Sequence, residues 1–431
     1  MKRTENNCSA KLRFCKKLSG VLFFLAVLAL LFAAGAVSCS GPDNTNPDPG
    51  TDNPGSDPDD SNPGGDPGKT AGAFSPNTQR LMNYLTDMYG TKIISGQMDT
   101  AWTENNTMDM IARVFADTGK YPAIKGFDFI DLPRSWSGYG RNQVDEAIEW
   151  WEGKNNNTKL LPGQPDIHGI VTFCWHWRTG SALDFYADKT DFRIPMSNGQ
   201  LDTSGAAFQT IKSDLDKVAA LLKLLKDKDI PVLWRPLHEA GGDNSYPNSA
   251  GWFWWGAGGA ENAQGNAARA AAYVALWDYM YDYLTNEKEL DNLIWVWNGQ
   301  KATWFPNPAT VHIISYDAYT NSNTEATAQD YKAQIFNTRF TTTRNTPPAK
   351  NLMVALSENG AIPDPEWSKT NNILWSWFMT WNDSNSSTTA NKNNFWIGEY
   401  HNTAEHKQYV YDHELVITLD ELPDLTKYRL E

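Results

Sequence analysis

The chain has 431 residues, of which 41% are apolar and 20% are charged, so it can build a large hydrophobic core and is typical of globular proteins. Its formal net charge of -14 argues against a nucleic-acid partner, because phosphate binding needs a basic surface that releases counterions. Aromatic residues make up 13% of the chain, and Trp and Tyr combine apolar ring faces with a polar group, which suits flat hydroxylated ligands.

The first 38 residues have the layout of an export signal. A basic stretch ending at Lys17 precedes an apolar run over 21–34, and small residues follow it. This run of about 14 strongly apolar residues is shorter than the ~20 that a membrane span needs. Cys39 comes directly after the small residues and resembles the lipidated cysteine of bacterial lipoproteins. The sequence therefore predicts a signal peptide over 1–38, lipidation of Cys39 and anchoring to a bacterial membrane, the outer membrane or cell surface. A plain cleaved signal is the alternative.

Residues 39–70 are rich in Pro, Asp, Gly, Ser and Asn and contain no large apolar side chain after the signal. Such a segment cannot bury enough surface to offset its ordering entropy, so we predict a flexible tether. A single folded catalytic domain is predicted over 71–431. The chain has four cysteines, and only Cys174 lies in this domain, so the sequence gives no disulfide framework.

Short β-rich runs alternate with longer helical patterns through the predicted domain. The predicted strands cover 92–96, 123–129, 167–175, 232–235, 293–297, 311–316, 352–356 and 374–380. The predicted helices cover 75–88, 108–118, 143–152, 208–228, 267–287 and 328–337. Eight strands alternating with helices are typical of parallel βαβ units, so the sequence predicts an α/β fold of the (β/α)8 TIM-barrel type.

Polar and aromatic residues follow the predicted strands, where a (β/α)8 barrel carries its chemistry. Glu239 follows the fourth predicted strand, and Glu358 follows the seventh. Two carboxyl groups across a barrel mouth suit a glycosidase, because one can protonate the leaving oxygen while the other attacks or activates water. The spacing along the chain does not give the distance between them, so it leaves retention and inversion of configuration open.

Three motifs resemble glycoside hydrolase family 26, whose best-known members are endo-β-1,4-mannanases. They are 234–239 (WRPLHE), 251–256 (GWFWWG) and 355–360 (ALSENG), supported by WHW at 175–177, and the resemblance spans residues 75 to 400. It implies a retaining barrel enzyme in which Glu239 is the general acid/base and Glu358 is the nucleophile. The aromatic residues at 252–255, which follow Glu239 in the chain, agree with a proton donor of raised pKa.

The resemblance also implies which residues bind the substrate: His176, His238, Trp252, Tyr319, Trp381 and Arg235. Both histidines would contact the sugar nearest the cleaved bond, and the two tryptophans would stack on pyranose rings. Arg235 and a tyrosine would donate hydrogen bonds that keep the nucleophile ionised. Tyr319 matches the family's tyrosine better than Tyr316 does.

Two features depart from the family pattern. Residues 240–251 form a longer connection than the compact family version, and 242–247 are predicted to form a lip over the cleft. Asn382 stands where well-studied members carry an arginine that grips a distant sugar, which argues against strong binding at that subsite.

The sequence therefore predicts a monomeric, retaining hydrolase of mannan, glucomannan or galactomannan, with endo cleavage favoured. Hydrolysis of mixed-linkage β-glucan or β-1,3-xylan by the same fold is one alternative. A lipoprotein that binds glycans without cleaving them is another, although the presence of both carboxylates argues against it. No metal or organic cofactor is predicted, because the Asp- and Asn-rich clusters lack the spacing of a calcium loop.

Overall fold

The structure is a computed structural model that describes residues 73–100, 109–132, 139–164, 167–242, 251–257, 265–320, 326–346, 348–383 and 394–431. The predicted signal over 1–38, Cys39, the tether and most of the predicted lip lie outside the described residues.

Seven parallel strands form one sheet, and their order in the sheet follows their order in the chain. They are β1 (Gly96–Met98), β2 (Ile124–Asp128), β3 (Ile170–Cys174), β4 (Val232–Arg235), β5 (Leu293–Trp297), β6 (Ile313–Ala318) and β7 (Met353–Asn359). Every residue of these strands is buried, as expected for parallel strands that face a barrel interior on one side and helices on the other.

The predicted eighth strand over 374–380 closes the sheet through separate bridges instead of a regular ladder. Thr380 forms parallel bridges to Gln97 of β1 and to Asn359 of β7. The backbone N–H of Ser376 donates to Val354 O at 2.8 Å. This segment therefore lies between the first and last strands, and the predicted (β/α)8 barrel is confirmed.

Eight α-helices are described, and most of them alternate with the strands. They are α1 (Pro76–Met88), α2 (Met110–Thr118), α3 (Tyr139–Trp151), α4 (Ala206–Lys226), α5 (Asn266–Tyr281), α6 (Gln334–Arg344), α7 (Pro365–Thr370) and α8 (Ala404–Tyr411). In α4 the buried residues recur every three or four positions, which is the stripe that packs a helix onto a sheet. None of the described helices has the length and apolar character needed to cross a membrane.

Smaller elements surround the barrel. Ile93–Ile94 pairs in parallel with Val416–Ile417, and two hairpins join Lys154–Asn155 to Thr158–Lys159 and Met196–Ser197 to Gln200–Leu201. The predicted first strand at 92–96 is therefore divided, since its beginning pairs with the C-terminal segment and the barrel strand starts at Gly96.

The helix predicted over 328–337 was wrong in its position. The structure has a short 3₁₀ turn at Asp330–Lys332, and α6 begins only at Gln334 and continues to Arg344. Three consecutive threonines near its end have weak helix propensity, so the sequence did not predict that the helix continues to Arg344. Burial of Phe336 and Phe340 against the barrel outweighs that preference.

The helix predicted over 267–287 also differs at its end. The α-helical part stops at Tyr281, and Asp282–Glu287 form a π-helical turn. Tyr283 and Leu284 remain buried in that turn, so the apolar pattern was read correctly while the backbone geometry was not.

Candidate active site

Glu239 lies just beyond β4, in a turn with unusual backbone geometry. Leu237 has φ 51° and Glu239 has φ 53°, a left-handed conformation that non-glycine residues adopt only when their surroundings enforce it. The N–H of Glu239 donates to Asn298 O at 2.7 Å, so the end of β5 holds this turn in place. The turn that follows β4 therefore holds the carboxyl group of Glu239 in a fixed position at the barrel mouth.

Glu358 lies near the end of β7, and both of its carboxylate oxygens accept hydrogen bonds. Arg235 Nη2 donates to Oε1 at 2.5 Å, and Tyr319 Oη donates to Oε2 at 2.8 Å. Both donors stabilise the ionised carboxylate. Burial and the charge of Glu358 raise the pKa of the Tyr319 hydroxyl, so the hydroxyl keeps its proton and remains a hydrogen-bond donor.

Asp317, at the end of β6, is a third carboxyl group in the site and was not among the predicted site residues. Its oxygens accept from Arg235 Nη1 at 3.0 Å and Asn298 Nδ2 at 2.6 Å. A register irregularity between β6 and β7 places it opposite Glu358. Burial and the charge of Glu358 raise the pKa of Asp317 to about 7, against the opposing effect of Arg235. Its position after a predicted strand was the one available sequence signal.

The three carboxyl groups form a compact cluster. One oxygen each from Glu239, Asp317 and Glu358 lies within 4.8 Å of the others. Burial raises the pKa of Glu239 well above its ordinary value, and the charges of Asp317 and Glu358 raise it further, while Arg235 opposes them. Trp252 Nε1 donates to Glu239 Oε2 at 2.9 Å. The cluster therefore contains one carboxyl group suited to carry a proton and another suited to remain charged.

The two predicted histidines contact each other beside this cluster. His238 Nε2 and His176 Nε2 lie 3.1 Å apart, and His176 Nδ1 lies 2.5 Å from Asp128 Oδ2. His238 is only 1% exposed, and its burial, followed by the charges of His176 and Arg235, lowers its pKa well below the usual value. The sequence indicated both histidines but not Asp128, whose pairing depends on β2 and β3 being neighbours.

The aromatic side chains at the barrel mouth differ in their exposure to solvent. Trp252 is 40% exposed, whereas Trp381 is partly buried with its ring centre 5.9 Å from that of His176. Phe253 contacts both histidines edge-on or tilted, with centroid distances of 5.4 and 5.2 Å. The remaining tryptophans of the strand ends are buried in the core: Trp175, Trp177, Trp254, Trp255 and Trp377. Among the described tryptophans, exposed indole surface at the mouth is therefore concentrated at Trp252.

Two groups of described side chains have atoms close enough to hold a metal ion: Asp128 with Cys174 and His176, and Glu239 with Asp317 and Glu358. In the second group, Arg235 donates to two of the carboxylates and supplies positive charge between them. In the first, both Asp128 oxygens already face nitrogens of His176. The absence of a cofactor stays a prediction.

A barrel that presents one glutamate after its fourth strand and another in its seventh, the latter bonded by an arginine and a tyrosine, is the arrangement that the motifs imply. The sequence profile of glycosyl hydrolase family 26 matches residues 72–421, which cover most of the chain. The chain belongs to glycosyl hydrolase family 26.

Relatives and solved structures of the family agree with this assignment. A mannan endo-1,4-β-mannosidase of Thermothelomyces thermophilus is 32% identical over 80% of this chain, which covers 61% of that protein. A Podospora anserina GH26-CBM35 β-(1,4)-mannanase has a TM-score of 0.62 at 29% identity, covering 84% of this chain and 70% of the other.

A β-mannanase from a symbiotic protist of the termite Reticulitermes speratus, solved with a gluco-manno-oligosaccharide, has a TM-score of 0.63 at 28% identity. That alignment covers 82% of this family 26 chain and 97% of the other. The chain spans only about half to three-fifths of the curated relatives it matches first, with 61% of one and 52% of the next.

The structure brings most of the predicted site residues of this family 26 chain together. Those in direct contact with a carboxyl group of the cluster are Arg235, Trp252 and Tyr319. Tyr316 is buried under Arg339, whose guanidinium lies 5.0 Å from the ring centre, so Tyr319 is the tyrosine that reaches Glu358. The substrate contacts of these residues stay predictions.

Proposed function

We propose that this protein is a retaining glycoside hydrolase that cleaves β-1,4-mannosidic bonds in mannan, glucomannan or galactomannan. The observation that carries the reaction class is the approach of Glu239 and Glu358 oxygens to within 4.8 Å. Retaining glycosidases keep their two carboxyl groups about 5–5.5 Å apart, whereas inverting enzymes separate them by about 6.5–9.5 Å to admit a water molecule. The short separation favours direct attack on the sugar.

The reaction then has two steps. Protonated Glu239 gives its proton to the glycosidic oxygen, while Glu358 attacks the anomeric carbon and the bond to the leaving sugar breaks. In the second step, Glu239 takes a proton from water, whose oxygen attacks the anomeric carbon and releases Glu358. Both residues return to their starting protonation states.

The electrostatics of the cluster support this exchange of roles. The charge of Glu358 helps to raise the pKa of Glu239, so the donor is protonated at the start. When Glu358 becomes an ester, that negative charge disappears and the pKa of Glu239 falls. Glu239 is therefore converted from an acid into a base at the step that needs one.

The substrate class rests on the relatives and on the aromatic mouth. Several relatives are named mannan endo-1,4-β-mannosidases, and one similar structure contains a gluco-manno-oligosaccharide. Trp252 presents exposed indole surface beside Glu239, where it can stack on a pyranose ring. Endo cleavage agrees with the names of these relatives.

Proton NMR of the first products from linear and galactosylated mannan tests the proposal. We expect products that initially keep the β configuration and a mixture of oligosaccharide lengths. Initial formation of the α-anomer would overturn retention, and release of mannose alone would overturn endo cleavage. A panel containing mixed-linkage β-glucan and β-1,3-xylan tests the substrate class, which fails if either is cleaved faster than mannan.

The role of Glu239 is tested by Glu239→Ala with two substrates. Hydrolysis of mannan should fall by about 10²–10⁴-fold, the usual contribution of general acid–base catalysis. An aryl β-mannoside whose leaving group needs no proton should still form the glycosyl-enzyme, and added azide should accelerate its release. Equal losses on both substrates, without azide rescue, would contradict the assignment.

We also propose that the protein is exported, lipidated at Cys39 and monomeric, with the 39–70 segment as its tether. The basic and apolar sequence before Cys39 and the polar composition after it support this location. Labelling of cells with a radioactive fatty acid should mark the wild type and not Cys39→Ala. Equal labelling of both proteins would refute lipidation at this residue.

A further inference from the structure

A hydrogen-bonded chain runs from Asp128 through His176 to His238, the residue directly before the predicted acid. Asp128 Oδ1 accepts the backbone N–H of His176 at 3.0 Å, and its Oδ2 lies 2.5 Å from His176 Nδ1. His176 Nε2 then lies 3.1 Å from His238 Nε2. Asp128 is fully buried and His238 is 1% exposed, so water does not compete at either end.

For a neutral His176, the donors and acceptors of this chain define the position of each proton. A carboxylate only accepts hydrogen bonds, so the Nδ1 of His176 carries the hydrogen. The Nε2 of a neutral His176 ring then has only a lone pair, and His238 must donate from its own Nε2. The Nδ1 of His238, which is buried and has no hydrogen-bond partner among the described residues, is left without a hydrogen.

The main chain of His238 is part of the turn that presents Glu239. Trp255 Nε1 donates to His238 O at 2.8 Å, while Leu237 and Glu239 on either side have left-handed φ angles. Such a turn persists only where its surroundings hold it. The ring of His238 is therefore held by His176, which Asp128 of β2 holds in turn, and the carbonyl of His238 is held by Trp255.

We propose that Asp128 is a positioning residue, which sets the tautomers of His176 and His238 and thereby holds the turn that aims the Glu239 carboxyl group. Asp128 acts through His176, which its carboxylate contacts directly. Its effect passes through two imidazole rings to the backbone, as hydrogen-bonded supports orient the groups that act directly in other sites. The catalytic consequence of this positioning rests on the proposed function, whereas the tautomers do not.

Asp128→Asn tests the proposal with almost no change in shape. The amide oxygen still accepts the His176 backbone N–H, but the amide nitrogen now donates toward His176 Nδ1. The hydrogen of His176 must move to Nε2, and His238 must accept at Nε2 and carry its hydrogen on Nδ1. The substitution therefore reverses the direction of the chain.

Nitrogen NMR of histidine-labelled protein detects this reversal, and the chain has only 7 histidines to assign. We expect His238 to be protonated on Nε2 in the wild type and on Nδ1 in Asp128→Asn. A wild-type His238 protonated on Nδ1 would overturn the proposal without any variant, as would an unchanged tautomer in Asp128→Asn.

Kinetics on mannan test the positioning role separately. For Asp128→Asn we expect kcat to fall by about 10–100-fold while KM changes by less than about twofold, because small displacements of a catalytic group cost this much. Reversed tautomers with an unchanged kcat would overturn the role. If wild-type protein cleaves no mannan, the proposed function fails while the NMR result stands.

Asp214→Asn is the matched control. Asp214 is 3% exposed and accepts from Trp177 Nε1 at 3.0 Å, outside the histidine chain. It should leave the histidine tautomers unchanged and kcat within about twofold of the wild type. If this control lowers kcat as much as Asp128→Asn does, the loss reflects a general effect of removing buried carboxylates and the proposal is overturned.

Discussion

The two sides of the barrel mouth hold the same functional group in opposite environments. Glu239, beyond β4, accepts from the indole of Trp252, and burial and neighbouring carboxylates raise its pKa. Glu358, in β7, receives a guanidinium on one oxygen and a hydroxyl on the other. In the proposed mechanism, the first carboxyl group gives a proton and the second attacks the sugar. Because the two side chains are chemically identical, only their neighbours can give them the different properties that these roles require.

Removing the charge on the β7 side should have the largest effect. Glu358→Gln keeps the shape of the side chain but cannot form the glycosyl ester, so we expect kcat on mannan to fall by roughly 10⁴-fold or more. Reducing-sugar release measures the loss, and circular dichroism checks the fold. A variant that retains more than about a tenth of the activity would refute the nucleophile assignment.

Removing the cation that joins β4 to β6 and β7 should chiefly reduce stability. Arg235→Met leaves Asp317 and Glu358 buried without their counter-charge, and breaking a buried ion pair in this way costs about 3–5 kcal/mol. Urea unfolding measures the free energy of unfolding. Arg141→Met is the control, because the exposed Arg141–Asp145 pair should contribute less than about 1 kcal/mol. Equal losses in both variants would contradict the difference in burial.

Weakening the support of Glu358 without removing its charge should have an intermediate effect. Tyr319→Phe removes one hydrogen bond to a carboxylate, worth about 1.5–3 kcal/mol, so kcat should fall by roughly 10–100-fold. The control is Tyr428→Phe, which removes a similar bond to Asp87 on α1 and should leave kcat unchanged. An unaffected kcat in Tyr319→Phe would show that the hydrogen bond from Arg235 is by itself sufficient for the reactivity of Glu358.

The smallest effect should come from the indole that contacts Glu239. Glu239 must be protonated to act as the acid, so kcat/KM falls as pH rises through its pKa. Trp252→Phe removes a donor that stabilises the ionised form, which raises that pKa. The alkaline limb of the pH profile should move upward by about 0.5–1 pH unit. Because the ionisations of Asp317 and Glu239 are coupled, the pH of this alkaline limb depends on both carboxyl groups.

Trp277→Phe controls for the loss of an indole N–H elsewhere in the fold. The Nε1 of Trp277 donates to Thr310 Oγ1 at 2.9 Å, away from the carboxyl cluster. This variant should keep the wild-type pH profile. A downward shift of the limb in Trp252→Phe would mean that the indole stabilises the protonated form of Glu239 instead.

The alternation of strands and helices made the barrel predictable, since apolar runs such as 293–297 can only be buried. Glu239 and Glu358 could also be predicted as site residues from their positions at the ends of β4 and β7, because a barrel carries its chemistry after its strands. Helix α6 was misplaced because its threonines have weak helix propensity and its phenylalanines pack on residues distant in the sequence. The irregular closure at 374–380 had no local signal.

The residues missed at the site have a common explanation. Asp128 is the last residue of its strand and Asp317 the last but one, and nothing in the local sequence distinguishes them from structural carboxylates. Asp317 acquires its raised pKa from Glu358, and Asp128 acquires its role from His176, in each case across a pair of adjacent strands. The sequence gives the strand to which each belongs but not its register with the neighbouring strand.

By itself the sequence determined the barrel, the two catalytic candidates and the aromatic character of the mouth, because periodicity and strand-end position are local properties. The tertiary structure alone decided which aromatic rings face solvent, with Trp252 exposed and Trp254 and Trp255 buried beside it. It also decided how the two glutamates differ, since pKa depends on burial and on charges that lie close in space. Arg235 lies 123 residues from Glu358 in the chain, and only the closed barrel brings them into contact.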